Sequence, residues 1–218
     1  HYRRYEFHLI VHRLHNFCSE DLGGFYLDIL KDRLYTSSAG GLLRRSAQSA
    51  LFHIAHSLVR LFAPIISFTS EEVWEHLMGD AQDSVLLHTW HDLPSDVDAD
   101  TLIQRWAGIR RLRSQVQGRL EEARAEGKIG SSLAAEVEIY IDGDDFSLLK
   151  SLDDDLRLVL ITSAAHVVQV YDSEDRAIRV TASRHPKCER CWHYRADVGS
   201  HSGHPTICGR CVSSLFGP

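Results

Sequence analysis

Two Cys-x-x-Cys pairs near the end of the chain, Cys188/Cys191 and Cys208/Cys211, limit what it can fold into more than any other feature. They are separated by 16 residues, Trp192 to Ile207. Each pair is a turn that offers two thiolates to one ion, and two such turns complete the tetrahedral shell of a closed zinc site. The competing reading, two disulfides, belongs to oxidising compartments. The opening His1 to Glu6 is polar and charged and lacks the apolar core and small-residue cleavage site of a secretory leader. The expectation is one structural Zn2+ per chain on Cys188, Cys191, Cys208 and Cys211, in a reducing, cytoplasmic setting. Four thiolates fill the shell and leave no place for water or substrate. A segment of about 35 residues builds little core, so metal binding has to supply most of its folding free energy, on the order of 10 kcal/mol. His185, His201 and His204 are the alternative ligands. Cys18, beside Phe17, is expected as a buried core thiol.

The remainder is long enough for more than one domain. With 218 residues, 44% hydrophobic and 25% charged, it buries a real core. No apolar run approaches the roughly 20 residues of a membrane span. The net charge of −6 argues against a uniformly basic nucleic-acid binder, but phosphate contacts need only a local basic surface. Such a surface is offered between Thr101 and Lys128, where seven basic residues meet three acidic ones. The chain starts at His1 and enters helical pattern at once, and its only methionine is Met78. It is therefore expected to be a fragment of a longer protein.

Periodicity predicts a mainly α protein: a helical bundle over 1–92, a long basic helix with a small α/β unit over 93–183, and a zinc ribbon-like module over 184–218. Phe7, Ile10, Leu14 and Phe17 give the first helical stripe, and a second helix is expected over Leu22 to Tyr35. Leu43 through Leu61 marks a helix that has to stop or kink at Pro64. Thr69-Ser-Glu-Glu72 fits a capping box for the next, with Trp74 and Leu77 on its buried side. The acidic, proline-containing stretch Asp92 to Asp100 reads as a linker. A long helix follows with Leu102, Trp106, Ile109, Leu112, Val116 and Leu120 as its apolar stripe. Strands are expected over Ala135 to Ile141, Leu158 to Thr162, Ala165 to Tyr171 and Ala177 to Thr181, with a helix over Asp145 to Leu156.

Catalytic signatures are missing: there is no P-loop, no Gly-x-Gly-x-x-Gly and no Gly-x-Ser-x-Gly elbow. His12, His15, His53 and His56 lie on predicted helices without a partnered ligand set and read as surface or satisfied core positions. His201-Ser-Gly-His204 has the shape of an ATP-holding signature, but it falls between the cysteine pairs, where no nucleotide-binding strand opens into a helix.

Several segments together resemble one family. Phe25 to Tyr35, the pair Arg44-Arg45, Leu61 to Trp74 and the basic helix running into Lys128 to Leu133 are similar to the anticodon-binding domain of class I isoleucyl-tRNA synthetases. Cys188-Glu-Arg-Cys-Trp-His-Tyr194 and Cys208-Gly-Arg-Cys211 resemble the C-terminal zinc module of the bacterial enzymes. The helical segments alone leave valyl- and leucyl-tRNA synthetases in play; the zinc module and the Cys-Trp-His-Tyr run favour isoleucine.

The resemblance implies a tRNA(Ile)-binding part of a monomeric ligase. Its ATP and Mg2+ belong to N-terminal catalytic and editing domains of the same protein, so no catalytic residue carries over and the chain alone is expected to be inactive. Lys31 and Arg33 at one helix end, and Arg44 and Arg45 at the start of the next, bracket a loop suited to anticodon phosphates and bases; the alternative is a solvated face with local ion pairs. Arg190, Trp192, His193 and Arg210 bring basic and aromatic groups onto the zinc knuckle, where a base could stack. For Trp192 the competing reading, preferred here, is a miniature core beneath the metal. Two rival functions stay open: the DNA-binding end of a zinc-finger DNA glycosylase, and a non-enzymatic interaction module.

Overall fold

The computed structural model describes residues 1–80, 82–95 and 98–217. The chain divides into two compact units, one comprising His1–Leu34 and Ala39–Asp96, the other Tyr35–Ser38 and Val97–Pro218. Two residues of the predicted linker, 96 and 97, lie outside the described residues.

The first unit is helical. Helix α1 (Phe7–Asn16) passes into a π-helical stretch, Phe17–Leu27, and then into α2 (Asp28–Thr36). The sequence predicts two separate helices here. The two glycines account for the difference, because a Cβ on Gly23 would meet the Cys18 carbonyl at 3.0 Å and one on Gly24 the Ser19 carbonyl at 3.2 Å. Carbonyls five residues back thus crowd these positions, as the wider i→i+5 turn requires, and residues without a side chain let the helix widen instead of breaking. Cys18 is half-buried in this stretch, not the core thiol expected.

Helix α3 (Leu42–Phe62) ends two residues before Pro64, as the missing donor and ring clash of proline dictate. Helix α4 (Ser67–Met78) starts two residues earlier than the predicted capping box, and no side chain caps its first turn. The turn after Pro64 sets that start: Ile65 and Ile66 amides bond the Phe62 carbonyl, and the Ser67 hydroxyl donates back to Ala63 O at 2.8 Å. Thr69 is therefore already inside the helix and does not serve as its N-cap. Trp74, completely buried, anchors the core here with Val59, Ala63 and Val85, and Leu77 packs against them. Its indole N–H donates to Asp83 Oδ2 at 3.0 Å, which satisfies the polar edge of a ring of that size.

In the second unit, α5 (Ala99–Ala125) lies on a three-stranded sheet of order β2-β1-β3. Strand β1 (Ala135–Ile141) pairs in parallel with β2 (Ala164–Gln169) and antiparallel with β3 (Ala177–Ala182). Ala135, Val137, Ile139 and Ile141 alternate inward and meet Leu112, Val116 and Leu120 of α5. Each valine, leucine or isoleucine among them contributes roughly 1.5–3 kcal/mol on burial. The stripe of α5 is shorter than predicted, since Leu102 is exposed.

Between β1 and β2 the chain forms α6 (Gly143–Lys150) and α7 (Asp155–Leu160). The predicted single helix is thus split, with Asp153 at φ 46° in the turn, and the predicted strand Leu158–Thr162 is largely helical. Leu156, Leu158, Val159 and Leu160 are all buried; a continuous apolar run looks the same whether it is a buried strand or a buried helical turn. Parallel pairing of β1 with β2 requires a crossover, and helix supplies it. Arg113, counted above among the basic surface residues, is buried and donates from Nε to the Val159 carbonyl at 2.9 Å. Helix α8 (Gly209–Phe216) closes the chain. No helix among the described residues is long and apolar enough to cross a membrane.

Candidate metal centre and nucleic-acid interface

The four paired cysteines converge. Their Sγ atoms all lie within 4.8 Å of one another, with Cys188–Cys211 at 3.7 Å and Cys191–Cys208 at 3.8 Å. A tetrahedron with Zn–S bonds of about 2.3 Å has edges of roughly 3.8 Å, whereas a disulfide would need about 2.05 Å. The geometry fits a shared ion and not sulfur–sulfur bonds, and all four thiols are free and buried.

Local backbone sets this convergence. The Trp192 amide bonds the Cys188 carbonyl and the Cys188 amide bonds His193 O, both at 2.9 Å, folding the first knuckle. In the second, Cys208 is the N-cap of α8 and Cys211 lies in its first turn. The Cys208 amide points at Cys188 Sγ at 3.3 Å, and Asp197 Oδ2 receives the Gly209 amide at 3.0 Å. Val198 and Ile207 pack around the sulfurs. Crowding redistributes their protons. Hydrogen bonds from Cys191 and then Cys211 hold Cys208 down at about 3. The contacts with Cys191 and Cys208, together with burial, push the Cys211 thiol up from its ordinary value, an effect that the Arg190 guanidinium partly offsets. A divalent ion would release the retained protons by supplying charge to all four thiolates.

The basic and aromatic residues singled out in the sequence fall into two groups. In the first unit, Lys31 of α2 is exposed and paired with Asp28 at 2.8 Å, Arg33 is half-buried near Tyr26, and half-buried Arg44 and exposed Arg45 occupy the first turn of α3. In the second unit, Trp192 is 60% exposed, with Lys187 Nζ 5.4 Å from its ring centre. The preferred miniature-core reading of Trp192 is overturned, because its backbone sits at φ 65° and turns the indole outward. His193 takes the inner place instead: it is 3% exposed and its Nδ1 lies 3.1 Å from Cys191 O. Arg190 donates to Thr36 O at 2.6 Å and Tyr35 O at 3.4 Å. Half-buried Arg210 stands near Asp154. The long basic helix is largely neutralised: Arg111 pairs with Asp145, Arg119 with Glu122 and Arg124 with Glu121. His204 stacks on Phe216, ring centres 4.1 Å apart, in a turn between the cysteine pairs and not at a nucleotide-binding strand.

Two features had no reading in the sequence. One is the partner of Arg190, 154 residues away in the chain. The other is a histidine cluster in the first unit, where His53 Nδ1 lies 2.9 Å from His91 Nε2 and buried His56 stacks on His91. His53 and His56 were read singly; spacing along α3 gives no hint that His88 and His91 join them.

Comparison with known proteins adds two family matches. The model described as the anticodon-binding domain of tRNA ligase matches residues 1–139. That described as the zinc finger found in FPG and IleRS matches residues 186–213. An isoleucine–tRNA ligase of Nitrosomonas europaea is 64% identical over 220 residues, 99% of this chain and 23% of that protein. Those of Thiobacillus denitrificans and Paraburkholderia phytofirmans are 59% and 55% identical over 217 residues, 100% of this chain and again 23% of each relative. The chain thus spans about a quarter of the length of these relatives.

Proposed function

The chain belongs to the family of anticodon-binding domains of tRNA ligases, and from that premise we propose that it is the tRNA-reading, zinc-bearing C-terminal part of a cytoplasmic isoleucine–tRNA ligase. The observation that carries this reading is the pairing of that domain with four sulfurs at tetrahedral spacing in the zinc-finger match. Residues 1–92 form the bundle, 93–183 the basic helix and α/β unit, and 184–218 the metal module. Cys188, Cys191, Cys208 and Cys211 hold one Zn2+, which cross-links the two knuckles and takes no part in chemistry. ATP, Mg2+ and isoleucine are handled by domains of the same monomeric protein N-terminal to this region.

Exposed Arg45, with Arg44 beside it, offers cations to phosphates, and the outward indole of Trp192, with Lys187 over it, offers a stacking face next to a charge. The test is binding of the chain to tRNA(Ile) and to the same tRNA with a substituted anticodon. Preference for the cognate anticodon is expected, along with a smaller salt slope, by roughly 0.7 per lost phosphate contact, when Arg44 and Arg45 are replaced by alanine. Equal affinity for both tRNAs sinks the anticodon reading. The family description also names FPG, so damaged duplex DNA serves as competitor: its displacing tRNA would favour the DNA-repair reading. The chain mixed with ATP, isoleucine and tRNA should give no charged product; product would place an active site within it.

A further inference from the structure

Where the start of β2 meets the segment around the first knuckle lies a cleft of about 360 Å³, lined by Glu136 of β1, by Ser163 and His166, and by His185, Tyr194 and Arg195. All of these belong to the second unit. A buried seam holds the two walls together: Ser163, 2% exposed, accepts the Tyr194 amide at 2.6 Å and donates to the Leu133 carbonyl at 2.5 Å. The Arg195 amide bonds Pro186 O at 3.0 Å, and Tyr194 pairs with Lys187 as an isolated antiparallel bridge. Lys187 is the cation over Trp192, so the wall that carries Tyr194 continues into the stacking face proposed above. The carboxylates at the cleft are engaged by the protein itself. Glu136 Oε1 accepts from Ser183 Oγ at 2.5 Å and faces His185 Nε2 at 3.9 Å, and Asp197 Oδ2 takes the Gly209 amide at 3.0 Å. The Arg195 guanidinium approaches Asp197 only to 3.6 Å, through Nε. Among the described residues, nothing bonds the exposed His166 ring or the Tyr194 hydroxyl.

We propose that this cleft holds one unstacked nucleotide of single-stranded RNA: Arg195 takes its phosphate, the His166 and Tyr194 rings its base, and Glu136 its ribose. The proposal rests on the tRNA-binding reading above and adds a contact site on the sheet side of the metal module. A guanidinium beside two π-faces suits a phosphate and the base attached to it, because the cation neutralises the backbone while stacking accepts any base. A guanidinium whose planar fork is held only loosely by Asp197 keeps donors for phosphate oxygens. Glu136, with Oε1 already bonded to Ser183, keeps Oε2 to accept from a 2′-hydroxyl, a donor that DNA lacks. A cleft of this volume takes a single nucleotide and excludes a stacked duplex, so the RNA has to arrive as an opened loop.

The experiment is an NMR titration of the whole chain with a single-stranded RNA hexamer, with DNA of the same sequence and with inorganic phosphate, following the ring signals of His166 and Tyr194. Saturable shifts with RNA, at concentrations at least about tenfold below those DNA needs, are expected. Equal response to RNA and DNA, a response to phosphate alone, or no response at all each overturns the proposal. Titration of the parent chain with tRNA(Ile) tests the tRNA reading by itself: if no tRNA binds, that reading falls and the hexamer alone decides the cleft. If tRNA binds, replacing His166 by alanine and Arg195 by glutamine should weaken it about tenfold and lower the salt slope by roughly 0.7, with zinc still near one per chain. Unchanged affinity overturns the cleft and leaves the tRNA reading standing. Should the Arg195→Gln change cost the metal, His166→Ala alone decides, since its ring holds nothing in the fold: it has to weaken tRNA binding several-fold, and parent-like affinity overturns the proposal.

Discussion

At the scale of single residues, Trp192 combines an unfavourable backbone conformation with an exposed ring. A bulky residue at φ 65° is strained by roughly 1–2 kcal/mol relative to glycine, and the indole recovers little of that by burial because it faces solvent. The turn-closing bond to Cys188 O is made by the Trp192 backbone amide, which glycine would supply equally. Trp192→Gly is therefore expected to leave zinc retention intact and raise the stability of the module by up to about 1 kcal/mol, while weakening tRNA binding by about tenfold, the contribution of one stacked base. Thermal unfolding and tRNA titration of the variant check both halves. Unchanged tRNA affinity would remove Trp192 from the interface. His193 is the converse case: its neighbour in the sequence points out, so it points in. Its burial could not be read from the Trp-His order, since neither residue type nor spacing tells which of the two rings turns inward at the left-handed Trp192.

Among the elements, the segment after α4 is pinned to α3 and α4 by aromatic and imidazole groups. His88 bonds Asp83, which also accepts from Trp74, and His91 meets His53 and His56. Burial first, then the Arg60 charge and the neighbouring histidines, holds His56 below its ordinary 6.5; burial and Arg60 do the same to His91. The sign of the linkage follows. The unfolded chain binds a proton near 6.5 that the folded unit resists, so stability is complete above that pH and declines as pH falls through 6.5 toward the lowered folded value. Asp83 is held below its ordinary 3.8 by its bonds to His88 and Trp74, and it affects stability only in more acid solution. The midpoint of unfolding of the first unit should therefore drop between pH 7.5 and 5.5, and the drop should shrink in His56→Gln. An imidazole titration by NMR that finds His56 at or above 6.5 would contradict this. Helix identity in this region was legible from period and proline; the start of α4 was not, because the turn after Pro64 overrode a good local capping sequence.

For the whole molecule, two compact units of unequal dependence on metal are expected. The first has its own core around Trp74. In the second, the sheet and α5 bury a larger aliphatic cluster, while the cysteine module packs little beyond Val198 and Ile207 around its sulfurs. Cys191→Ala should thus abolish zinc binding and unfold residues 184–218, a loss on the order of 10 kcal/mol of metal-linked folding energy, yet keep most of the helical circular-dichroism signal. Collapse of that signal would show that the bundle depends on the metal.

The sequence alone determined the clustering of four paired cysteines, the mainly helical first region and strand β1 with its inward alternation. These are local properties: a two-residue spacing, a period or a proline acts over one turn of chain. Only tertiary structure decided that Leu158 to Leu160 is helical, that Arg113 is buried, and that Arg190 faces the end of α2. Each of those outcomes depends on which distant groups satisfy a carbonyl or cover an apolar side chain, and no spacing along the chain encodes that partner.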